Sequence, residues 1–423
     1  MSGKDTMRVL ARGLVGLLAV SFLVGPIPAA FADHGEEARA LIAARAQAPG
    51  QNIRFATFSV GLSRSTAGEL TEDLTGTGSA QARAIAEVIQ TVRPDVVLLN
   101  DFDYDPDAAS AALFHRNYLR VGQNGRTPLD YPYSYTAAPN RGVQSGYDLD
   151  NDGVVGGAGD AFGPGAFPGQ GGMVLFSKYP IRTTSVRTFG DFLWQDLPGA
   201  LLPDDPATES AGDSYSVEER AALPLSSTSH WDVPVIVSGR TVHVLASNPG
   251  PPVVDDPDER RTSDEIRFWS DYVAGASYPY DDDGTAGGLR RGDRFVIMGD
   301  QNSDPRDGGT APAPIDQLLE NSLIRDPSPS SEGAAEASAL QGGANAVQHG
   351  DPRFDTADYE DQQTGNLRTD YVLTSRTLRV STSGVFWPRA GLPGAELTGI
   401  LPFPASAHRL VYADVVLRGA RER

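Results

Sequence analysis

Five strand ends carry polar residues next to apolar runs: Ser59, Asp101, Asn248, Asp300 with Asn302, and Asp370. The sharpest is Phe295-Val-Ile-Met298, cut off by Gly299 and followed by Asp300-Gln301-Asn302-Ser303-Asp304-Pro305. Val and Ile favour a buried strand, and Gly-Asp-x-Asn ahead of proline ends one. In extended chain, side chains two residues apart share a side, so this spacing predicts that Asp300 and Asn302 leave the strand together. A carboxylate and an amide held by a rigid core can steady a metal-bound water or orient a phosphoryl group. The plain alternative is an Asx-rich turn that caps an ordinary strand.

The segments around these runs read as a layered chain. Residues 53–60 alternate as a first strand, 79–92 carry a helical stripe (Ile85, Ala86, Ile89, Val92) behind a Ser79 cap, and 96–99 form a continuous buried strand. Strand, helix, strand in so short a span is an α/β opening. Residues 107–118 read as helix, as do 259–272 and, briefly, 315–319. Further strands are expected at 173–176, 181–188, 233–237, 241–247, 370–373, 378–386 and 410–417, with Ser238-Gly239-Arg240 as a hairpin turn. Residues 191–229 form an irregular insertion, and the Ser-, Ala- and Gly-rich 326–349 read as a surface excursion or partly disordered loop. The expected fold is one α/β domain over 51–419: two packed mixed β-sheets flanked by helices.

Residues 1–32 have the form of an export signal: Lys4, Arg8 and Arg12, then an uncharged apolar segment, then Ala30-Phe31-Ala32 before Asp33. A membrane anchor is the competing reading, but the apolar segment is short for a span and nothing later is long and apolar enough. The expectation is therefore secretion, with 33–50 as an N-terminal arm and no membrane span in the mature chain. Removing the signal takes the net charge from −20 to about −22. That balance argues against a protein that holds nucleic acid by its overall field, and it suits one that gathers divalent cations. With no cysteine there is neither a disulfide framework nor a thiolate metal site. Stability must come from a large core.

Taken in order, Gly299-Asp300-Gln301-Asn302, Arg368-Thr369-Asp370-Tyr371-Val372-Leu373, Ser406-Ala407-His408 and Phe176-Ser-Lys-Tyr-Pro-Ile181 resemble the endonuclease/exonuclease/phosphatase superfamily across roughly 53–417. The resemblance implies a four-layer α/β/β/α sandwich and a divalent-metal-dependent hydrolase of phosphate esters or phosphodiesters. It implies that Asp300 polarises the attacking water and Asn302 holds it or the transition-state oxygens. His408 would act at the scissile phosphate, with Asp370 orienting its imidazole. Magnesium or manganese would neutralise phosphate oxygens, since only oxygen ligands are on offer. Substrates would be a small phosphoester, a phospholipid head group or a nucleic acid, without a stable nucleic-acid complex.

Several positions depart from the family pattern. Ser59 stands where an asparagine is usual, Asp101 replaces the metal-binding glutamate, Asn248 replaces a histidine, and Ala407 replaces an aspartate. Asparagine can orient a phosphate but cannot exchange a proton near neutrality. A catalytically degenerate binding protein therefore stands beside the hydrolase reading. A second metal motif, Asp148-x-Asp150-x-Asp152-Gly153, matches the first half of a calcium loop. Its twelfth position is Gly159, which excludes a complete EF-hand, so the expectation is a structural Ca2+ loop closed by Asp160 or another segment. A metal-free Asx-turn loop is the alternative.

Overall fold

Strands that are apolar on both faces require cover on both faces, and that requirement dictates the layers here. The computed structural model describes residues 51–417 except 206, 207, 211, 252–258, 310 and 400–402. The expected export signal and arm lie outside the described residues. In chain order the strands are β1 (Gln51–Leu62), β2 (Val96–Phe102), β3 (Tyr133–Tyr135), β4 (Gly172–Ser177), β5 (Arg187–Thr188), β6 (His230–Val237) and β7 (Arg240–Ser247). Then follow β8 (Phe295–Asp300), β9 (Ile324–Arg325), β10 (Ala357–Asp358), β11 (Asn366–Leu367), β12 (Asp370–Ser375), β13 (Arg379–Val385) and β14 (Val411–Leu417).

Twelve of them build two six-stranded mixed sheets, β13-β14-β1-β2-β4-β3 and β5-β6-β7-β8-β12-β9. Pairing is parallel for β1–β2 and β7–β8 and antiparallel for β1–β14 and β8–β12. Alternate residues divide between layers. Phe55, Val96, Leu98, Val244, Val296, Met298, Val372 and Val411 fill the space between the sheets. Phe58, Val97 and Leu99 face outward against the helix Ala80–Val92. Ile297, Tyr371 and Leu373 face outward against the helix Arg260–Ala274, whose Trp269 and Tyr272 are buried. The result is the four-layer sandwich expected from the sequence.

Ser79 caps its helix as expected, its hydroxyl accepting from the Ala82 amide. Ser79→Ala should cost about 1 kcal/mol in urea unfolding, the usual loss for such a cap. Two expectations fail. Residues 181–188 are not one strand: Ile181 makes a single bridge to Val235, Thr183–Ser185 turns as 3-10 helix, and only Arg187–Thr188 pairs. The polar Arg182-Thr-Thr-Ser185 offers no apolar alternation to hold a longer strand. Residues 326–349 are not a loose excursion either. They contain the helix Glu332–Gln341, whose Ala334 is buried and whose Gly333 would put a Cβ 1.9 Å from the Trp387 carbonyl. Small residues, which read as disorder in sequence, are what allow this helix to dock so closely.

Candidate active site

The alternation that fills the inter-sheet layer with Val, Leu and Met continues past the apolar stretch on every central strand. Two residues after Phe55 comes Thr57 and then Ser59; Leu98 leads to Asn100, Ala246 to Asn248, Met298 to Asp300, and Val372 leads back to Asp370. Hydrogen bonds bear this out where the side chains meet: Asn100 donates to the Thr57 hydroxyl at 3.0 Å. One end of the layer is therefore polar and the rest is not. Cross-strand register sets Asp300 opposite Asp370 in the β8–β12 pair, so two carboxylates share one spot.

His408, just ahead of β14, closes this end from the other sheet. Its Nδ1 lies 2.8 Å from Asp370 Oδ2 and 3.8 Å from Asp300 Oδ2. Asp370 is itself fixed, since Oδ2 also accepts from Thr356 Oγ1 at 3.1 Å, and Thr356 Oγ1 accepts from the Asp370 amide. The loop to β14 is tied by Ser406, whose hydroxyl donates to the Ser59 carbonyl at 2.6 Å and accepts from the His408 amide. Burial pushes the Asp300 carboxyl up to about 7, with the charges of Asp370 and Asp101 adding to the rise and His408 opposing it. Burial would lower the His408 imidazole, but Asp370 and Asp300 outweigh it and raise the group to about 9. At neutral pH His408 is therefore an imidazolium, and Asp300 sits near the midpoint of its titration.

Asp101 reaches the same end by a different device. Parity with Val97 and Leu99 would aim it at the outer helices, but β2 is bulged between Asn100 and Phe102 and Asp101 is left-handed, φ 52°. Its charge is felt at both Asp300 and His408. Its Oδ1 accepts from Arg141 at 3.1 Å. Asn302 differs from the extended-chain expectation: β8 ends at Asp300, whose Oδ1 accepts the Asn302 amide, and Asn302 turns left-handed at φ 48°. The turn sends the Asn302 side chain to the Pro249 carbonyl at 2.8 Å and to Asn248 Oδ1 at 3.5 Å. Asp101, Asn248, Asp300, Asn302, Asp370 and His408 thus gather at one end of the sandwich, as do Ser59 and, in the His408 loop, Ala407.

The helix Arg260–Ala274 fixes the far wall. Trp269 Nε1 donates to Ser247 Oγ at 2.9 Å, and Glu265 accepts from the amides of Ser227 and Gly250. The segment carrying Asn248 and Pro249 is held from both sides. Three residues here had no signature in sequence: Arg141 on Asp101, Thr356 on Asp370, and Tyr359, whose hydroxyl is 3.4 Å from His408 Nε2. All three lie outside the strands that the sequence marks, Arg141 in the glycine-rich stretch before β4 and Thr356 and Tyr359 around β10.

The second acidic motif is a separate loop. Asp148, Asp150 and Asp152 bring oxygens within 4.8 Å of one another. Asp160 does not join them, because its carboxylate accepts the amides of Leu149, Gly156 and Gly157. It closes the loop by its own hydrogen bonds, and Asp152 and Gly153 likewise donate to Asp148.

A family model, that of the Endonuclease/Exonuclease/phosphatase family, matches residues 61–408. The chain belongs to this family. Its members hydrolyse phosphoesters, and Asp101, Asn248, Asp300, Asn302, Asp370 and His408 all lie within the matched region. No curated protein sequence matches the chain. Among solved structures, an endonuclease/exonuclease/phosphatase from Beutenbergia cavernae DSM 12333 is similar at TM-score 0.47 and 17% identity over 88% of this chain and 73% of that one. A mannosyl-6-phosphatase from Bacteroides thetaiotaomicron VPI-5482 is similar at 0.42 and 10%, over 86% and 100%. The beta toxin of Staphylococcus aureus is similar at 0.42 and 13%, over 85% and 99%. The family's usual divalent metal is compatible with the donors present. Ser59 Oγ, Asn100 Oδ1 and Asp370 Oδ1 are buried without a hydrogen-bond partner, and Asp101 keeps one carboxylate oxygen clear of Arg141.

Proposed function

We propose that the chain is an exported, divalent-metal-dependent phosphoester or phosphodiester hydrolase that uses activated water. The observation carrying this reading is His408 held between Asp370 and the buried Asp300, with Asp101 at the same end. Asp101, with Asn100 beside it, would hold Mg2+ or Mn2+, which when bound neutralises phosphate oxygens and acidifies water. Asp300, its carboxyl raised toward neutrality, takes the proton of the attacking water. His408 stays protonated, places positive charge at the phosphate and offers its Nε2 proton to the leaving oxygen. Asp370 fixes the imidazole through Nδ1. Asn248 and Asn302 orient the phosphoryl group without exchanging protons. Export rests on the basic, apolar and small-residue succession of 1–32, and N-terminal sequencing of the released protein should begin at Asp33. The acidic balance favours a small phosphoester or phospholipid head group over duplex DNA.

The Arg141–Asp101 pair favours a second reading, a binding protein that keeps the fold, because a guanidinium already occupies one oxygen of the carboxylate that would face a metal. Hydrolysis of bis(p-nitrophenyl) phosphate separates the two. The hydrolase requires added Mg2+ or Mn2+ and stops on chelation. Its pH profile rises toward about 7 as Asp300 loses its proton and falls above about 9 as His408 loses its own. No turnover with either metal leaves the binding reading in its place.

A further inference from the structure

The opposite end of the same strands carries a different charge. Arg240 opens β7, Arg294 precedes β8, Arg325 ends β9, and Arg376 and Arg379 flank the β12–β13 turn. Together they line one pocket of about 430 Å³, floored by Leu378 and the last residues of β14. Arg294 is six residues before Asp300 on one extended strand, which sets this pocket roughly 20 Å from the candidate active site. Among the described residues, none of the five guanidinium groups makes a side-chain hydrogen bond or an ion pair. Single arginines such as Arg83, Arg182, Arg306 and Arg389 also lack such a partner, whereas Arg54, Arg64, Arg187, Arg353, Arg368 and Arg409 each hold an aspartate; what distinguishes the five is that they share one pocket.

In a chain with 55 acidic and 35 basic side chains, an arginine finds a carboxylate easily. Five that converge without one repel each other, and Asp293, the chain neighbour of Arg294, accepts the Arg290 amide with its carboxylate. Two more arginines, Arg290 and Arg291, line the adjoining cleft with Asp293. Screening over about 8 Å at physiological salt keeps the distant acidic surface from cancelling this local field. Planar guanidinium forks suit tetrahedral oxyanions, which they grip through paired hydrogen bonds. A pocket of this size admits a small molecule and excludes a duplex, while the overall negative charge repels extended polyanions and anionic membranes.

We infer that this pocket binds a small soluble oligophosphate, a molecule carrying two or more linked or neighbouring phosphate groups, at a site separate from the hydrolytic one. The inference does not depend on hydrolysis. Sodium tripolyphosphate titrated calorimetrically into the full chain in metal-free buffer tests it. The parent should bind one equivalent, more weakly as salt rises, and orthophosphate should bind at least about tenfold less tightly. Arg376→Ser with Arg379→Ser should weaken tripolyphosphate about tenfold or more and melt with the parent, both positions being exposed. Arg240→Ser with Arg325→Ser should weaken binding similarly, which keeps the test open if one pair disturbs folding. Asp300→Asn should bind as the parent does. Absence of saturable binding, parental affinity in both arginine pairs, or loss of binding in Asp300→Asn would each overturn the inference, the last by placing the ligand at the other end.

Discussion

Asp300→Asn is expected to lower kcat for phosphodiester hydrolysis by about 10³-fold, inside the 10²–10⁴ range of a lost general base. The same substitution should leave the protein at least as stable as the parent above neutral pH. Asp300 is buried beside Asp370 and within the field of Asp101, which is why its carboxyl is raised. A folded carboxyl raised above its unfolded value gives a contribution that is full below about 3.8 and is lost as pH climbs toward about 7. Above that window the folded state carries a charge that water would hold more comfortably, and asparagine removes it. A merely structural Asp300 would behave the other way, with activity falling only as stability falls. Activity at the parental level, or a loss of activity matched by a loss of melting temperature, would remove Asp300 from the chemistry. His408→Asn provides the complement: it strips the cation that partly offsets the Asp300 carboxylate, so it should lose both turnover and the alkaline limb of the pH profile.

How far the sequence went toward this site depended on the range of the interaction. Strand parity is local, so the polar ends at Ser59, Asn248, Asp300 and Asp370 could be read from runs of Val, Ile, Leu and Met. The pairing of His408 with Asp370 was available only through resemblance, since 38 residues separate them. Asp101 could be placed at the site only through resemblance, since strand parity points it outward until the bulge turns it, and nothing in Leu99-Asn100-Asp101-Phe102 announces a left-handed residue. Arg141 sits in a glycine-rich stretch whose meaning is spatial: Gly171 would put a Cβ 3.0 Å from the Arg141 guanidinium carbon, and Gly163 one 1.9 Å from the Ser227 carbonyl. Those glycines read as turn residues, whereas their use is close approach of distant chain. The same holds for Gly333 and the helix that sequence composition hid.

Gly299→Ala should be the most damaging single methyl group in the site, at about 3–5 kcal/mol of stability. Gly299 has φ 148°, outside the range of side-chain-bearing residues, and a Cβ there would lie 1.9 Å from the Ser247 carbonyl. That oxygen belongs to backbone at the end of β7, which runs parallel to β8 in register from His243–Phe295 to Ala246–Met298. Relief therefore requires the two strand ends to part, and those ends carry Asn248 and Asp300. Strain from φ alone can be measured separately at Gly239, which has φ 74° in the β6–β7 hairpin and open space where a Cβ would go. Gly239→Ala should cost about 1 kcal/mol, in line with strained glycine positions generally. In urea unfolding the excess of Gly299→Ala over Gly239→Ala isolates the backbone collision. The folded fraction of Gly299→Ala should also lose about 10²-fold in turnover, because a displacement near 1 Å between positioning groups is enough to do so. Equal costs at the two glycines would mean that β7 and β8 separate freely, and the rigid strand ends on which the hydrolytic reading depends would not exist.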